Sequence, residues 1–194
     1  MVILRCTQKL LRRLKGTPAH DEASTTKLGD WYGNLLSVGR QRVVLFASER
    51  SRFPVLLPAR DVANVATHLR LALEQLLPVL GVPGELVRQE IDAMADVRFA
   101  PTANRSLLGT MNDYHRSVRF YLDSGTWAEL MRLSLYLGEN PSLPPDYHIP
   151  WELTAQILTG DTSPVPEQLQ PASFEVEAGD LPKTWATHRA IWKP

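Results

Sequence analysis

The stretch WYGNLLSVGRQRVVLFASERSRFPVLLP, residues 31–58, decides the fold of this chain. Three runs rich in β-branched, aromatic and aliphatic residues, WYGNLLSV, RVVLFAS and RFPVLLP, are separated by short polar turns at 39–42 and 49–51. Runs of this length with turn residues between them predict three antiparallel strands, a β-meander. The continuous apolar run Val43–Phe46 indicates a strand that is covered on both faces. Pro54 lacks a backbone donor, which favours an edge position for the third strand.

The residues before the meander add one more strand and a short helix. VILRC, 2–6, has the composition of a strand, and we expect it to join the meander in a small antiparallel sheet. QKLLRRLK, 8–15, predicts a helix that Thr7 would cap. The polar segment 16–27 is typical of a loop.

Four helices are predicted after the meander. Apolar residues recur there at spacings of three and four, which is the period of a helix with one buried face. The predicted helices span about 60–80, 84–95, 104–122 and 126–138. VRFAP, 97–101, is either a short strand or an extended connector.

The character of the sequence changes after Gly138. Nine of the 15 prolines lie in 139–194, together with one more predicted helix at 150–158. We therefore predict an α+β core domain over 1–138, with four or five helices covering the sheet. A Pro-rich C-terminal extension over 139–194 is expected to pack on the core or on a partner, because its aromatic residues are unusual in a disordered tail.

Composition excludes several classes of protein. The chain has 194 residues, and its single cysteine, Cys6, cannot form an internal disulfide. No apolar run approaches the length of a membrane span, so we expect a soluble protein in a reducing cytoplasm, with no membrane partner. The net charge is zero, yet residues 1–15 sum to +5. Lys9, Arg12 and Arg13 form a basic patch there, which is either a solvated helix face or a site for an anionic partner such as nucleic acid.

Sequence motifs for catalysis and for metal binding are missing. The chain contains no G-x-S-x-G, G-x-x-x-x-G-K, H-E-x-x-H or C-x-x-C pattern. Its five histidines, with one cysteine, have no spacing suited to zinc: His20, His68, His115, His148 and His188. We predict neither a metal nor a cofactor.

The segment NRSLLGTMNDYH, 104–115, is the strongest candidate for a functional site. At 3.6 residues per turn, one stripe of the predicted helix is apolar: Leu107, Met111, Tyr114, Val118 and Tyr121. Another face carries the candidate ligand-binding residues Arg105, Gly109, Asn112 and Arg116. A glycine inside a helix costs about 1 kcal/mol relative to alanine. Gly109 therefore serves either close packing against the meander or the accommodation of a ligand.

The candidate catalytic residues are Glu49, Asp113 and His115. In a pocket, Arg105 and Asn112 would hold an anionic or planar group while Asp113 or His115 moves a proton. Glu49 lies in the charged turn 49–52, which is either solvated or places Glu49 opposite Arg105 across the sheet.

Three segments resemble one known family. They are CTQKLLRRLK, LGDWYGNLL followed by LFASERSRFPVLLPARD, and NRSLLGTMNDY, in that order. Together they resemble an uncharacterised bacterial domain family of unknown function, over about residues 1–125. The resemblance implies a bacterial cytoplasmic protein and supplies no catalytic residues.

Two functional hypotheses follow from these observations. The first is a binding or interaction module that engages a protein or nucleic-acid partner, self-association included, through the basic patch and the polar face of 104–122. The second is an unfamiliar hydrolase or nuclease acting on a phosphate-containing substrate around 104–115. The second requires Glu49, Arg105, Asn112 and either Asp113 or His115 to meet within about 8 Å in a concave pocket.

Overall fold

A six-stranded mixed sheet forms the centre of the protein. The structure is a computed structural model that describes residues 1–19, 22–141 and 148–162. The strands are β1 (Val2–Cys6), β2 (Thr17–Pro18), β3 (Trp31–Val38), β4 (Gln41–Ser48), β5 (Pro54–Pro58) and β6 (Val97–Pro101). They lie in the order β2-β6-β1-β3-β4-β5. The α+β class is therefore confirmed.

The meander forms as predicted. β3 pairs antiparallel with β4 from Trp31↔Ser48 to Val38↔Gln41, and β4 pairs antiparallel with β5. Gly39 supplies the left-handed backbone, φ 57°, in the turn between β3 and β4. Val43–Phe46 are completely buried, as a strand covered on both faces requires. β5 is the edge strand, in agreement with the position of Pro54.

The N-terminal strand joins the sheet in the opposite sense to the one predicted. β1 pairs parallel with β3 and parallel with β6. Two parallel strands start at the same edge of the sheet, so the chain must return to that edge between them. The connection 7–30 is long enough for this return, whereas a short hairpin turn is not. The segment 97–101 is a strand, and as β6 it lies beside β1. The sheet is therefore mixed and not wholly antiparallel.

Six α-helices surround the sheet in the described residues: α1 (Gln8–Leu11), α2 (Val65–Val79), α3 (Gly84–Ala93), α4 (Arg105–Tyr121), α5 (Trp127–Gly138) and α6 (Pro150–Thr159). α1 is four residues long and not eight. Thr7 stands at its N-cap position without capping it, since the Thr7 hydroxyl donates to Asn34 Oδ1 at 3.0 Å. Asn104 and Thr126 do cap α4 and α5.

The helices that form the candidate site pack on the meander. α4 contacts β3 and β4, and α5 contacts β5. Ser134 of α5 accepts a hydrogen bond of 2.9 Å from Leu56 N–H of the edge strand. α6 reaches the same region, with Trp151 buried in the core. No helix of the described residues is long and apolar enough to cross a membrane. Most of the predicted Pro-rich extension, 142–147 and 163–194, lies outside the described residues.

Candidate functional site

The turn between β4 and β5, residues 49–53, is tied to neighbouring elements by hydrogen bonds, although Arg50 is exposed. The Ser48 hydroxyl donates to Leu28 O at 2.9 Å and accepts from Ser51 N–H at 3.2 Å. Thr154 of α6 donates to the Ser51 hydroxyl at 2.8 Å, and Ser51 is completely buried. Both sides of the turn are thereby fixed.

Arg52 stands out in this turn because of its backbone. Its φ of 62° is the only positive value at a non-glycine position in the described residues. This left-handed conformation costs an L-residue about 1–2 kcal/mol. The Arg52 N–H donates to Ser48 O at 3.0 Å, and Tyr114 of α4 donates to Arg52 O at 3.1 Å. These bonds hold Arg52 in its strained conformation, an arrangement that is common at functional sites.

The strained backbone directs the Arg52 side chain onto α4. Its Nη1 donates to the Thr110 hydroxyl at 2.6 Å, and its Nη2 donates to the Ser106 hydroxyl at 3.1 Å. Ser106 and Thr110 lie one turn apart on the same helix. The guanidinium group is therefore held flat along one face of α4.

A groove opens between this face of α4 and the end of α5. Its volume is about 490 Å³, and its lining consists of Arg52, Ser106, Gly109, Thr110, Asp113, Tyr114, Ser117, Tyr121, Tyr136, Asn140 and Pro141. Within the part of the chain that the structure describes, a Cβ atom built on Gly109 would meet nothing within 4 Å. Of the two alternatives for Gly109, close packing against the meander is therefore wrong, because the residue faces the open groove.

Two tyrosines form an aromatic wall at one end of the groove. Tyr121 and Tyr136 lie edge to face, with ring centroids 5.0 Å apart, and the Tyr136 hydroxyl donates to that of Tyr121 at 3.2 Å. This hydrogen bond raises the pKa of Tyr136. Tyr121 is 55% exposed and Tyr136 is 42% exposed. Tyr121 was predicted on the buried stripe of its helix, but its ring contacts Tyr136 and solvent.

Only two of the predicted site residues line the groove, Gly109 and Asp113. The Asp113 carboxylate accepts from Arg116 at 3.1 Å on the helix surface. Arg105 and Asn112 are exposed on α4 outside the groove lining. Arg116 contributes to the groove only through Asp113.

His115 lies away from the groove, near the basic residues. Burial lowers its pKa, and the charges of Arg119 and Lys9 lower it further. The imidazole is therefore neutral at pH 7. Lys9, Arg12 and Arg13 are all exposed, so the predicted basic patch is available at the surface beside this end of α4.

Glu49 belongs to a second polar cluster under the start of α4. Arg5 of β1 forms an ion pair with buried Asp30, whose other oxygen accepts from Ser24. Burial alone would lower the pKa of Arg5. The hydrogen bond to Asp30 and the charge of Asp30 raise this pKa, and the charge of Glu49 also contributes. The sequence left Glu49 either solvated or opposite Arg105; in the structure its nearby cation is Arg5.

Tyr32 completes this ion-pair cluster of Arg5, Asp30, Glu49 and Tyr32. Burial raises the pKa of Tyr32, and the negative charge of Glu49 raises it further, while the Asn104 N–H bonds to the phenol. Sequence reasoning missed the other members. The available signal for Arg5 was its position as the single charge in the apolar run VILRC, since a charge in a buried strand needs a partner.

The described residues contain no group of three or more His, Cys, Asp or Glu side chains that could hold a metal ion. What the site offers is a shaped, partly aromatic groove with hydroxyl, amide and guanidinium groups. Such groups recognise a ligand by stacking and hydrogen bonding.

Comparison with known proteins assigns the family. Residues 3–153 match the model of a domain of unknown function, DUF6933. The chain therefore belongs to this family, and the match continues beyond residue 125 into α6. No curated protein matches the chain, and no solved structure does.

Proposed function

We propose that this chain is a binding module of the bacterial cytoplasm and that it takes up a segment of a protein partner in the groove between α4 and α5. The observation that carries the proposal is the aromatic wall of Tyr121 and Tyr136, half-exposed at the end of a groove of about 490 Å³. Large aromatic rings are normally buried, and their exposure in a concavity is typical of a binding surface.

The residue types of the groove support a protein partner. Tyrosine and arginine are enriched among the residues that contribute most to binding energy at protein interfaces. The groove has Tyr114, Tyr121 and Tyr136 together with Arg52. The exposed rings of Tyr121 and Tyr136 offer apolar surface for stacking, and the Tyr121 hydroxyl, which accepts from Tyr136, keeps its own proton to donate.

The rigidity of the groove also favours binding. Tyr121 and Tyr136 hold each other through ring contact and a hydroxyl bond, and Arg52 is fixed by Ser106 and Thr110. Side chains that are already ordered lose little conformational entropy when a partner binds.

The hydrolase alternative has no such supporting observation. It needs Glu49, Arg105 and Asn112 beside Asp113 or His115, and of these only Asp113 lines the groove. The Asp113 carboxylate is exposed and paired with Arg116, an arrangement common on helix surfaces.

Peptide selection tests the proposal directly. A library of phage-displayed random dodecapeptides is selected on the full chain, and the enriched peptides are measured against Tyr136→Ala and Phe120→Ala. Phe120 is the control because it is an aromatic residue of α4 that is 85% exposed and lies outside the groove lining. We expect binding to weaken about tenfold or more in Tyr136→Ala and to be unchanged in Phe120→Ala.

Other outcomes would overturn the proposal. Failure to enrich any peptide, or equal binding by Tyr136→Ala, would remove the groove as the site. A different result would point to nucleic acid on the basic patch. In that case a short DNA duplex would bind, its binding would fall steeply with salt, and replacement of Lys9, Arg12 and Arg13 would abolish it. If the mass of the wild-type chain without peptide rises with its concentration, and that of Tyr136→Ala does not, the occupant of the groove would be a second copy of the chain.

A further inference from the structure

We infer that the segment bound in the groove is an extended polyproline-II segment rich in proline, and neither a strand nor a helix. This inference rests on the proposed function and specifies the chemistry of the partner. Protein segments dock in three common ways: as an added strand, as an amphipathic helix, or as a polyproline-II stretch on aromatic rings. The structure of the groove distinguishes among the three.

Addition of a strand requires a free sheet edge beside the groove. The nearest edge is β5, and α5 covers it. Leu56 N–H of this edge donates to the Ser134 hydroxyl at 2.9 Å, and all five residues of β5 are buried. The Leu56 N–H of this buried edge is therefore not available to a partner strand.

Docking of a helix requires a continuous apolar groove, because a helix satisfies its own backbone groups and presents an apolar stripe. This groove is mixed in polarity and not continuously apolar. Hydroxyl, carboxylate, amide and guanidinium groups line it along its length, from Ser106, Thr110, Asp113 and Ser117 to Asn140 and Arg52. The apolar stripe of a helical partner would lie against these polar groups and would find no continuous apolar surface to contact.

A polyproline-II segment has the complementary properties. It makes no internal hydrogen bonds, so its carbonyl oxygens are free to accept. The groove supplies donors: the Tyr121 hydroxyl accepts from Tyr136 and keeps its own O–H to donate, while the Ser106 hydroxyl accepts from Arg52 and also keeps its proton. Proline rings stack on the faces of tyrosines, and the wall presents two of them.

The charge and the length of the groove agree with this occupant. Among the described residues of its lining there is one cation, Arg52, and one acid, Asp113, which is paired with Arg116. A polyproline-II segment binds through carbonyl oxygens that accept hydrogen bonds, so it needs no further charged group in the groove. From Ser106 to Tyr121, the α4 side of the groove is about 22 Å long at about 1.5 Å per residue. At about 3.1 Å per residue, about seven residues of polyproline II span it.

Titration with a model peptide tests the inference. Acetylated decaproline amide is added to the ¹⁵N-labelled full chain, with a Gly-Ser peptide of equal length as the flexible control. We expect decaproline alone to shift the amide resonances of 106–121 and 136–140. The shifts should disappear in Tyr121→Ala and Tyr136→Ala and persist in Phe120→Ala.

The result separates this inference from the proposed function. If decaproline shifts nothing, or shifts residues elsewhere, while selected peptides without proline bind through Tyr136, the inference is overturned and the proposed function stands. If neither decaproline nor any selected peptide binds through Tyr136, both are overturned. Proline-rich selected peptides that compete with decaproline would support both.

Discussion

Gly109 of α4 and Gly138 of α5 are the same residue type in consecutive helices, and their surroundings are opposite. A Cβ atom on Gly138 would lie 2.7 Å from a ring carbon of Phe53, which is completely buried. A Cβ atom on Gly109 would meet nothing within 4 Å. α5 uses its glycine to approach the sheet closely, whereas α4 keeps its glycine at an open groove. The comparison separates a surface that holds the fold together from a surface available for binding.

The largest expected effect is at the packed glycine. Gly138→Val should lower the free energy of unfolding by about 3 kcal/mol, because the new side chain forces Phe53 or the helix out of a close-packed position. Urea denaturation measures the change. A variant as stable as the wild type would mean that α5 is not packed closely on Phe53.

The same difference between the packed helix and the groove is expected for the hydrogen bonds of two serines. Ser134 in α5 and Ser117 in α4 both donate to the carbonyl four residues earlier, at 2.7 Å and 3.4 Å. Ser134 is completely buried and accepts from Leu56 N–H, so Ser134→Ala strands a buried donor and should cost about 2 kcal/mol. Ser117→Ala, at the groove, should stay within about 0.5 kcal/mol. Equal losses in the two denaturation curves would contradict the contrast.

Gly109→Ala should stabilise the protein by about 1 kcal/mol. The replacement removes the conformational freedom of glycine from a helix interior, and nothing lies close enough to the new methyl group to clash. The measurement is again the urea midpoint, beside that of Gly138→Val. A loss of stability would show that a neighbour occupies the space assigned to the groove.

The smallest effect concerns the N-termini of the two helices. Although burial alone would raise it, hydrogen bonds from Ser124 and from the amides of 123–125 lower the pKa of Glu129 at the start of α5. The pKa of Glu129 is therefore lower in the folded state than its unfolded value of about 4.3. The stabilisation that the ionised Glu129 side chain provides is present above the unfolded pKa and is lost as the pH falls through the folded-state pKa. Glu129→Gln should therefore cost about 0.5 kcal/mol at pH 7 and nothing at acid pH.

The start of α4 provides the control for this pH dependence. It is capped by Asn104, whose side chain accepts from Leu107 N–H at 3.1 Å. The amide does not titrate, so Asn104→Ala should lower stability equally at both pH values. A pH-dependent loss there, or a pH-independent loss in Glu129→Gln, would be inconsistent with the assignment.

Local patterns predicted much of the fold. The meander, the buried strand Val43–Phe46 and the bounds of α4 and α5 to within about two residues follow from periodicity, turn residues and caps. The parallel pairing of β1 was mispredicted because strand direction depends on where a long connection returns, which no local pattern encodes. α1 begins at Gln8 as predicted but ends at Leu11, four residues before the predicted end at residue 15.

The site was predictable only in part. The face of α4 with Gly109 was identified from its period, and the structure places Gly109 and Asp113 at the groove. Arg52 and the Tyr121–Tyr136 wall were missed, because a tyrosine at helical spacing is normally a core residue and a charged turn is normally solvated. Whether a helical glycine is packed or open depends on a neighbour from another element, so Gly109 and Gly138 cannot be distinguished by sequence alone.

Gly109→Gln tests the central claim, that the groove is the binding site, most directly. The long side chain should be tolerated, since glutamine favours helices and the space above Gly109 is open, yet it should obstruct the groove. We measure the affinity of the selected dodecapeptides by calorimetry, with Arg119→Gln on the same helix but outside the groove as control. The account predicts a fold at least as stable as the wild type, an affinity reduced about tenfold or more, and no change in the control. Wild-type affinity in a stable Gly109→Gln protein would contradict it.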